Sequence, residues 1–260
     1  MIYAGIDAGS RVNKIVLMDS QFNIMTKGQC KNGIGNESIV MELLKDLTIR
    51  ADITSSHISY IVATGYGRNN IPAADERITE ITCHAAGVHH LVPATQAIID
   101  IGGQDSKFIR LGTNGCVMDF AMNDRCAAGT GCFLEMCASK LNIDLLHMGQ
   151  FATESTSPAS ISSMCMVFAE TEIIGLLTQN TPPMDIIAGV QNSIATRVSA
   201  MAGMNIQGPI VFTGGVALLD GMAEALSQVF KQPVQVSPLA QYTGAIGAAI
   251  LAKRIFEKQK

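Results

Sequence analysis

The chain has no tryptophan, little aromatic character and few charged side chains. Of its 260 residues, 5% are aromatic and 15% are charged, whereas 48% are hydrophobic. The formal net charge of −4 gives no electrostatic reason to expect binding to nucleic acid. The most continuous apolar stretch near the end, residues 243–252, is too short to span a bilayer. We therefore expect neither nucleic acid nor membrane among the partners.

The cysteines lack the spacings of common frameworks. There are seven, an odd number, and no two of them form a CxxC pair. These two features argue against a disulfide framework, a zinc ribbon and a self-contained ferredoxin site. Because Gly5 follows the start of the sequence so closely, we expect no signal peptide. We expect a cytoplasmic protein whose cysteines are reduced thiols, bind a metal or pack in the core.

Three glycine-rich segments are the most informative features that are present. They are Gly5-Ile-Asp-Ala-Gly-Ser10, Asp100-Ile-Gly-Gly-Gln-Asp105 and Phe212-Thr-Gly-Gly-Val-Ala217, and each follows or ends a short apolar run typical of a strand. Glycine-rich turns after strands present backbone N–H groups to phosphate oxygens. The sequence contains neither a GxxxxGK[ST] loop nor a GxGxxG motif. The three segments together predict a nucleotide site of another kind.

Strands and helices alternate along the chain in a pattern that repeats. Apolar runs predict strands at residues 1–6, 14–18, 22–31, 57–63, 97–101, 107–111, 116–122 and 209–212. Helical spacing predicts helices at residues 37–47, 75–91, 131–141, 166–179, 186–204, 218–230 and 245–256. The repeated order of strand, acid, glycine turn and strand predicts two similar α/β domains that close on a ligand. We assign residues 1–94 and the C-terminal helix 245–260 to the first domain, and residues 95–244 to the second.

The three glycine-rich segments resemble the phosphate-1, phosphate-2 and adenosine motifs of the actin/Hsp70/sugar-kinase ATPase superfamily. Within that group, the chain resembles the activators of 2-hydroxyacyl-CoA dehydratases, a family that also holds ATPase subunits of benzoyl-CoA reductase. Four further segments carry this narrower resemblance: Ala63-Thr-Gly-Tyr-Gly-Arg68, Asn123-Asp-Arg-Cys-Ala-Ala-Gly-Thr-Gly131, Cys165-Met-Val-Phe-Ala-Glu170 and Ser237-Pro-Leu-Ala-Gln-Tyr242. Together, these segments cover nearly the whole chain.

The resemblance implies two actin-like, or ribonuclease H-like, ATPase domains around a nucleotide cleft. It also implies a homodimer that holds one [4Fe–4S] cluster between its subunits and uses ATP hydrolysis to pass single electrons to a partner enzyme. The partner would be a dehydratase or reductase component, and we expect ferredoxin or flavodoxin as the electron donor. Because such a cluster lies at a subunit surface, we expect sensitivity to oxygen and anaerobic function.

The number of cysteines fits a cluster shared by two subunits. A [4Fe–4S] cluster is commonly held by four thiolates, and Cys126 and Cys165 from each of two copies would supply four. Both precede predicted helices, whose N-terminal N–H groups and dipole stabilise an anionic cluster. Taken without the resemblance, a structural role for these two cysteines stays open. Met164 and Met166, which flank Cys165, could shield a cluster from water. The other cysteines are interpreted as packing residues: Cys30, Cys83, Cys116, Cys132 and Cys137.

Specific residues are predicted for nucleotide and magnesium. Asp7 and Asp100 end their strands and are suited to hold Mg²⁺ through water. The candidate catalytic residues are Asp7, Gln104 and Asp105, and the last two would orient the attacking water. The residues expected at the phosphates are Gly9, Ser10, Arg11, Lys14, Gly102 and Gly103, and those expected at the adenosine are Gly214, Gly215 and Gln241. The alternatives are a turn-forming role for Asp7 and a solvated strand position for Lys14.

Two other functions stay open on the same fold. A small-molecule kinase would need a substrate pocket with a base, and the chain is short for the usual insertions. A non-catalytic nucleotide-binding regulator would bind nucleotide without turnover and would hold no iron. Arg11 and Leu218 depart from the family pattern, which makes hydrolysis less secure than nucleotide binding. The resemblance favours an ATPase coupled to low-potential electron transfer.

Overall fold

The computed structural model describes every residue of the chain except Met164, Met204, Asn205 and Gln207. The predicted role of Met164 in shielding a cluster from water, and the end of the helix predicted at residues 186–204, therefore lie outside the described residues. The chain divides into two compact units. The first comprises Met1–Ala94, Leu111–Val117 and Gln241–Lys260, and the second comprises Thr95–Arg110 and Met118–Ala240.

Strands and helices alternate through both units. The strands are β1 (Ile2–Ala8), β2 (Val12–Asp19), β3 (Ile24–Lys31), β4 (Ile58–Thr64), β5 (Glu76–Arg77), β6 (Ala97–Ile101), β7 (Ser106–Leu111), β8 (Val117–Asn123), β9 (Ile210–Thr213) and β10 (Val234–Val236). The helices are α1 (Asn36–Arg50), α2 (Glu80–Leu91), α3 (Gly131–Leu141), α4 (Leu145–Thr153), α5 (Met166–Thr178), α6 (Pro183–Ala202), α7 (Met222–Phe230) and α8 (Thr243–Lys258). Short 3₁₀ turns include Ala127–Gly129, Gly215–Leu218 and Ala240–Tyr242.

The strands form two five-stranded sheets with the same internal order. The first sheet runs β3-β2-β1-β4-β5, and the second runs β8-β7-β6-β9-β10. In each sheet the middle strand pairs antiparallel with the strand that follows it in the chain. On its other side it pairs parallel with a strand that arrives after a helical crossover. The predicted α/β fold, built from two similar halves, is confirmed.

The middle strand of the first sheet is buried on both faces. Ala4 and Ile6 belong to one apolar cluster, which includes Leu44 and Leu47 of α1. Tyr3 points the other way and packs with Ala248 of α8, as the two-residue period of a strand requires. Gly5 and Asp7 share the face of Tyr3. Asp7, near the end of β1, therefore lies on the face of the sheet that α8 covers.

The second unit has a large apolar core. Phe108 of β7, Phe133 of α3 and Phe212 of β9 are almost completely buried within it. α6 crosses this core and begins with Pro183 at its first turn, where proline has no N–H to leave unpaired. Among the helices of the described residues, none has both the length and the apolar character needed to cross a bilayer.

Some helix boundaries differ from those predicted. The helix expected from residue 75 begins only at Glu80, because Glu76–Arg77 pair with β4 as a parallel strand and Thr79 caps α2. The helix expected from residue 218 begins at Met222, after Gly221 at a φ of 82°. α4 was not predicted from the sequence, although Asp144 caps its first turn by accepting a hydrogen bond from Leu146 N.

α8 packs against β1 and α2 at backbone distance. A Cβ atom on Gly5 of β1 would overlap the Ala245 carbonyl of α8, and one on Gly247 of α8 would overlap the Cys83 carbonyl of α2. Gly87 of α2 meets the Thr243 carbonyl in the same way. These glycines are needed because they have no side chain to separate the three elements.

Replacing Gly247 by alanine should destabilise the protein. The new methyl group would collide with backbone rather than with a movable side chain, so the free energy of unfolding should fall by about 2 kcal/mol or more. Gly175 of α5 is the matched control, because a Cβ there has nothing within 4 Å. Gly175→Ala should be neutral or add about 0.5–1 kcal/mol. Urea unfolding followed by circular dichroism measures both, and equal stability of the two variants would contradict the packing argument.

Candidate nucleotide and cluster site

Asp7 stands near the carboxyl end of β1, opposite Lys14 of β2. Lys14 Nζ lies 3.5 Å from Asp7 Oδ2, with side-chain exposures of 18% and 10%. On the other side, Gly65 has a φ of 86°, and a side chain there would press against Asp7 Oδ1. The carboxylate is thus flanked by one ammonium group and by bare backbone. Such a group is suited to organise a hydrated cation and a phosphate.

The turn that follows β1 contains Gly9, Ser10 and Arg11. Asn32 shapes it: Asn32 Nδ2 donates to the carbonyl oxygens of Gly9 at 3.0 Å and of Ser10 at 3.2 Å. The backbone N of Asn32 donates to the Arg11 carbonyl at 2.8 Å. Asn32 was not identified from the sequence, because it lies 23 residues from Gly9 and only the β2–β3 pairing returns it to the turn.

The second unit carries a cluster of three charges around a buried lysine. Asp100 of β6 faces Lys107 of β7 across the hairpin. Lys107 Nζ lies 3.2 Å from Asp100 Oδ2 and 2.7 Å from Asp105 Oδ2, and the Lys107 side chain is 1% exposed. A lysine is almost never this buried unless it is paired. Sequence reasoning assigned no role to Lys107, although a lysine at the start of an apolar strand was a visible signal.

The phosphate-2 turn between these strands is closed by a hydrogen bond from Gly102 N to the Asp105 carbonyl at 2.9 Å. Gln104 lies exposed in this turn. The carbonyls of Gly102 and Gly103 accept hydrogen bonds from Gly131 N and Cys132 N, each at 2.9 Å. The turn is therefore attached to the first residues of α3.

Gly214 follows β9 and lies beside the end of β6. Its φ is 92°, and a Cβ atom there would overlap the Ile101 carbonyl and approach Asp100 Oδ1. Gly214 N donates to the Ala240 carbonyl at 3.0 Å. Gly215 is exposed at the start of the following 3₁₀ turn. The parallel pairing of β6 and β9 thus brings the acidic and the glycine-rich motifs of the second unit to one sheet edge.

The predicted nucleotide residues fall into two sets, one in each unit. The set in the first unit contains Asp7, Gly9, Ser10, Arg11, Lys14 and Gln241, and the set in the second contains Asp100, Gly102, Gly103, Gln104, Asp105, Gly214 and Gly215. Within the second unit, Asp100 lies beside Gly214 and shares the ammonium group of Lys107 with Asp105. Within the first, Asp7 and Lys14 are in contact. The roles of all these residues stay predictions.

The two predicted cluster ligands both lie in the second unit. Cys126 is half-buried before the 3₁₀ turn Ala127–Gly129, and Cys165 is exposed at the N-cap of α5. α5 contacts both that turn and α3. Within the part of the chain that the structure describes, no three histidine, cysteine or acidic side chains form a metal-binding group. One chain thus offers two thiols in neighbouring segments.

Exposed apolar side chains adjoin both cysteines in the sequence. Val167 and Phe168 follow Cys165 with exposures of 65% and 69%, and Phe120 and Met122 precede Cys126 on β8 with 53% and 38%. Isolated exposed apolar residues are ordinary, but grouped ones mark surfaces that another molecule covers.

The remaining cysteines differ in their surroundings. Cys83 and Cys137 lie in the apolar cores, and burial raises the pKa of each thiol to about 12, in agreement with their interpretation as packing residues. Cys116 is exposed, so its interpretation as a packing residue is wrong. It belongs to the turn before β8, which begins at Val117 rather than at residue 116.

Similarity to solved structures defines the class of fold as that of actin-like ATPases and sugar kinases. A ROK hexokinase from Thermus thermophilus is 14% identical, with a TM-score of 0.54 over 99% of this chain and 100% of its own. At this identity the likeness shows the fold alone. The chain belongs to the BadF/BadG/BcrA/BcrD ATPase family, which matches residues 4–252.

Relatives within the family are similar over the full length of the chain. The activator of lactoyl-CoA dehydratase from Anaerotignum propionicum is 42% identical and covers 100% of both chains. The (R)-2-hydroxyglutaryl-CoA dehydratase activating ATPase from Acidaminococcus fermentans is 39% identical over 95% of both chains. A solved structure of the activator of 2-hydroxyisocaproyl-CoA dehydratase from Clostridium difficile, with bound ADPNP, is 38% identical. It has a TM-score of 0.93 and covers 100% of this chain and 97% of its own.

Replacing Lys107 by methionine should cost far more stability than removing an exposed paired lysine. Loss of the ammonium group leaves the buried Asp100 carboxylate without its cation, so the free energy of unfolding should fall by about 3–5 kcal/mol. Lys140 is the matched control, since its Nζ is 2.6 Å from Glu170 Oε1 but its side chain is 38% exposed. Lys140→Met should cost less than about 1 kcal/mol. Comparable losses in denaturant unfolding would show that Lys107 is not a buried counter-charge.

Proposed function

We propose that this protein is an ATP-dependent one-electron donor that reduces and activates a partner iron–sulfur enzyme. The partner is of the 2-hydroxyacyl-CoA dehydratase or benzoyl-CoA reductase type. The observation that carries the proposal is the placement of the two cysteines. Cys126 precedes the 3₁₀ turn Ala127–Gly129, Cys165 precedes α5, and this turn and this helix contact each other. Both lie in the unit that contains the phosphate-2 turn. Full-length similarity to dehydratase activators supports it.

The donor set fits a [4Fe–4S] cluster shared by two copies of the chain. Four thiolates commonly hold such a cluster, and a two-fold interface would present Cys126 and Cys165 twice. Cys165 is exposed at the N-cap of α5. The free N–H groups of that helix start favour a negatively charged ligand nearby. When bound, the cluster supplies storage of one electron at low potential.

The apolar side chains beside the cysteines suit a homodimer interface. Val167 and Phe168 on α5 and Phe120 and Met122 on β8 would be covered by the second copy. Burial of such residues is favourable by about 25 cal/mol for each Å² of apolar surface removed from water. It would also keep water away from the four thiolates.

The glycine-rich turns are the nucleotide-binding elements of this proposal. Backbone N–H groups after β1 and β6 would receive phosphate oxygens, and Asp7 and Asp100 would hold Mg²⁺ through water. Gln104 and Asp105 would orient a water whose oxygen bonds to the γ-phosphorus while the bond to the bridging oxygen of ADP breaks. The proton of that water leaves with the products. Ferredoxin or flavodoxin would reload the electron.

ATP hydrolysis should proceed without any added phosphoryl acceptor and should depend on Asp7. Asp7→Asn keeps the shape of the side chain but removes the charge that organises Mg²⁺, so phosphate release should fall by about 100-fold. Asp19 is the control, because it ends β2 and caps a turn through Asn23. Asp19→Asn should hydrolyse ATP at the wild-type rate. Turnover that requires a sugar or a carboxylic acid would instead favour a kinase.

Protein purified without oxygen should contain about four iron atoms and four sulfides per dimer. Cys126→Ser and Cys165→Ser should each lose most of this iron, because each removes two of the four thiolates from a dimer. Cys116→Ser is the control, since Cys116 is an exposed thiol in the other unit and should keep full iron content. Colourless, iron-free dimers that bind ATP without turnover would contradict the proposal and favour a regulator.

A further inference from the structure

One buried hydroxyl joins the phosphate-2 turn to the segment that carries Cys126. Thr130 is completely buried, and its Oγ1 donates toward the Gly103 carbonyl at 3.1 Å and the Ala127 carbonyl at 2.8 Å. A hydroxyl has a single hydrogen, so the two carbonyls share it in a three-centre bond. Any displacement of Gly103 changes this sharing.

The same turn also receives the first N–H groups of α3. Gly131 N and Cys132 N donate to Gly102 and Gly103 at 2.9 Å. N-terminal N–H groups have no partner within their own helix. The phosphate-2 carbonyls fill that role here, so α3 and the phosphate-2 turn are bonded through both backbone and side chain.

Cys126 is held from both directions. On one side, Asn123 pairs with its backbone, since Cys126 N donates to Asn123 Oδ1 at 3.0 Å and Asn123 Nδ2 donates to the Cys126 carbonyl at 2.8 Å. On the other side, the chain passes through Ala127, whose carbonyl accepts from Thr130. Asn123 is the last residue of β8, so its hydrogen bonds fix Cys126 to that strand. Thr130, in contrast, links the segment after Cys126 to the phosphate-2 turn.

We infer that Thr130 is a positioning residue that transmits occupation of the phosphate-2 turn by a nucleotide triphosphate to the geometry of Cys126. Phosphate oxygens that draw the N–H groups of the turn also displace the Gly103 carbonyl. The shared hydrogen then moves toward Ala127 or away from it, and the turn after Cys126 shifts. The functional value of this coupling rests on the proposed role of Cys126 as a cluster ligand.

The coupling is testable in cluster-free protein through the thiol of Cys126. Its alkylation rate, followed residue by residue by mass spectrometry, should change at least about 5-fold when Mg²⁺ and a non-hydrolysable ATP analogue are added, within the usual range of coupling between two sites. In Thr130→Val, which keeps the shape but lacks the hydroxyl, the ratio of rates with and without nucleotide should fall close to one. Thr130→Ser should restore the wild-type ratio.

A matched control is Thr196, whose Oγ1 donates to the Asn192 carbonyl within α6 at 2.8 Å. Thr196→Val should leave the ratio unchanged. The affinity for the ATP analogue, measured by fluorescence, should change in all variants by no more than the roughly 5-fold coupling itself, because coupling between two sites is reciprocal. Should Thr130→Val fail to fold, Thr130→Ala removes the same hydroxyl with less bulk and carries the same expectation.

A wild-type ratio in Thr130→Val would overturn the inference, as would nucleotide binding to the native chain that leaves the Cys126 rate unchanged. Loss of nucleotide affinity in the variant would also overturn it, because Thr130 would then belong to the binding site. These outcomes are independent of iron. Absence of a cluster would remove the proposed function while leaving the thiol experiment able to confirm or reject the coupling.

Discussion

The close contact of α8 with β1 and α2 is the constraint on which the acidic end of the first unit depends. Gly5 lets the α8 backbone approach the face of β1 that also carries Asp7. At the first turn of α8, Gly244 lies against both Asp7 Oδ2 and His84 Nε2. His84 Nδ1 is in turn 3.0 Å from Thr243 Oγ1. The helix therefore both closes the core and fixes the surroundings of a carboxylate.

The two units hold their acids by different electrostatic means. Asp7 faces a single ammonium group, that of Lys14, at 3.5 Å, and both side chains are largely buried. Asp100 and Asp105 instead share the buried ammonium group of Lys107. Burial of a charge is costly unless a partner compensates it. The buried ammonium group of Lys107 therefore compensates two carboxylates, whereas the longer contact with Lys14 compensates one.

Much of this architecture is accessible from the sequence. The apolar alternation of residues 1–31 and of residues 97–122 predicts two hairpins of the same kind, and the structure has both. The periodicity failed where a competing interaction determined the local structure. Glu76 was predicted to lie in a helix but pairs with β4 as a strand residue. Cys116 was predicted to begin a strand but lies exposed in the turn before β8.

The residues that the sequence did not identify act through contacts between distant segments. Asn32 reaches the phosphate-1 turn from the end of β3, and Lys107 has a meaning only once β6 and β7 pair. Thr130 is 27 residues from Gly103. No local propensity encodes such contacts, since each follows from sheet register and helix packing. Motif residues at strand ends are readable from the sequence, but the residues that hold those motifs in place are not.

Symmetry multiplies the effect of these local contacts. In the proposed homodimer, each chain would contribute one phosphate-2 turn, one Thr130 and two thiolates to a single cluster. The hydrogen-bonded path from Gly103 to Cys126 would then occur twice, once in each copy. A cluster held by both copies would respond most strongly when both nucleotide sites are filled, because one displaced ligand pair leaves the other pair in place. In the proposed homodimer, shared ligation would therefore make one cluster sensitive to the nucleotides bound by both copies.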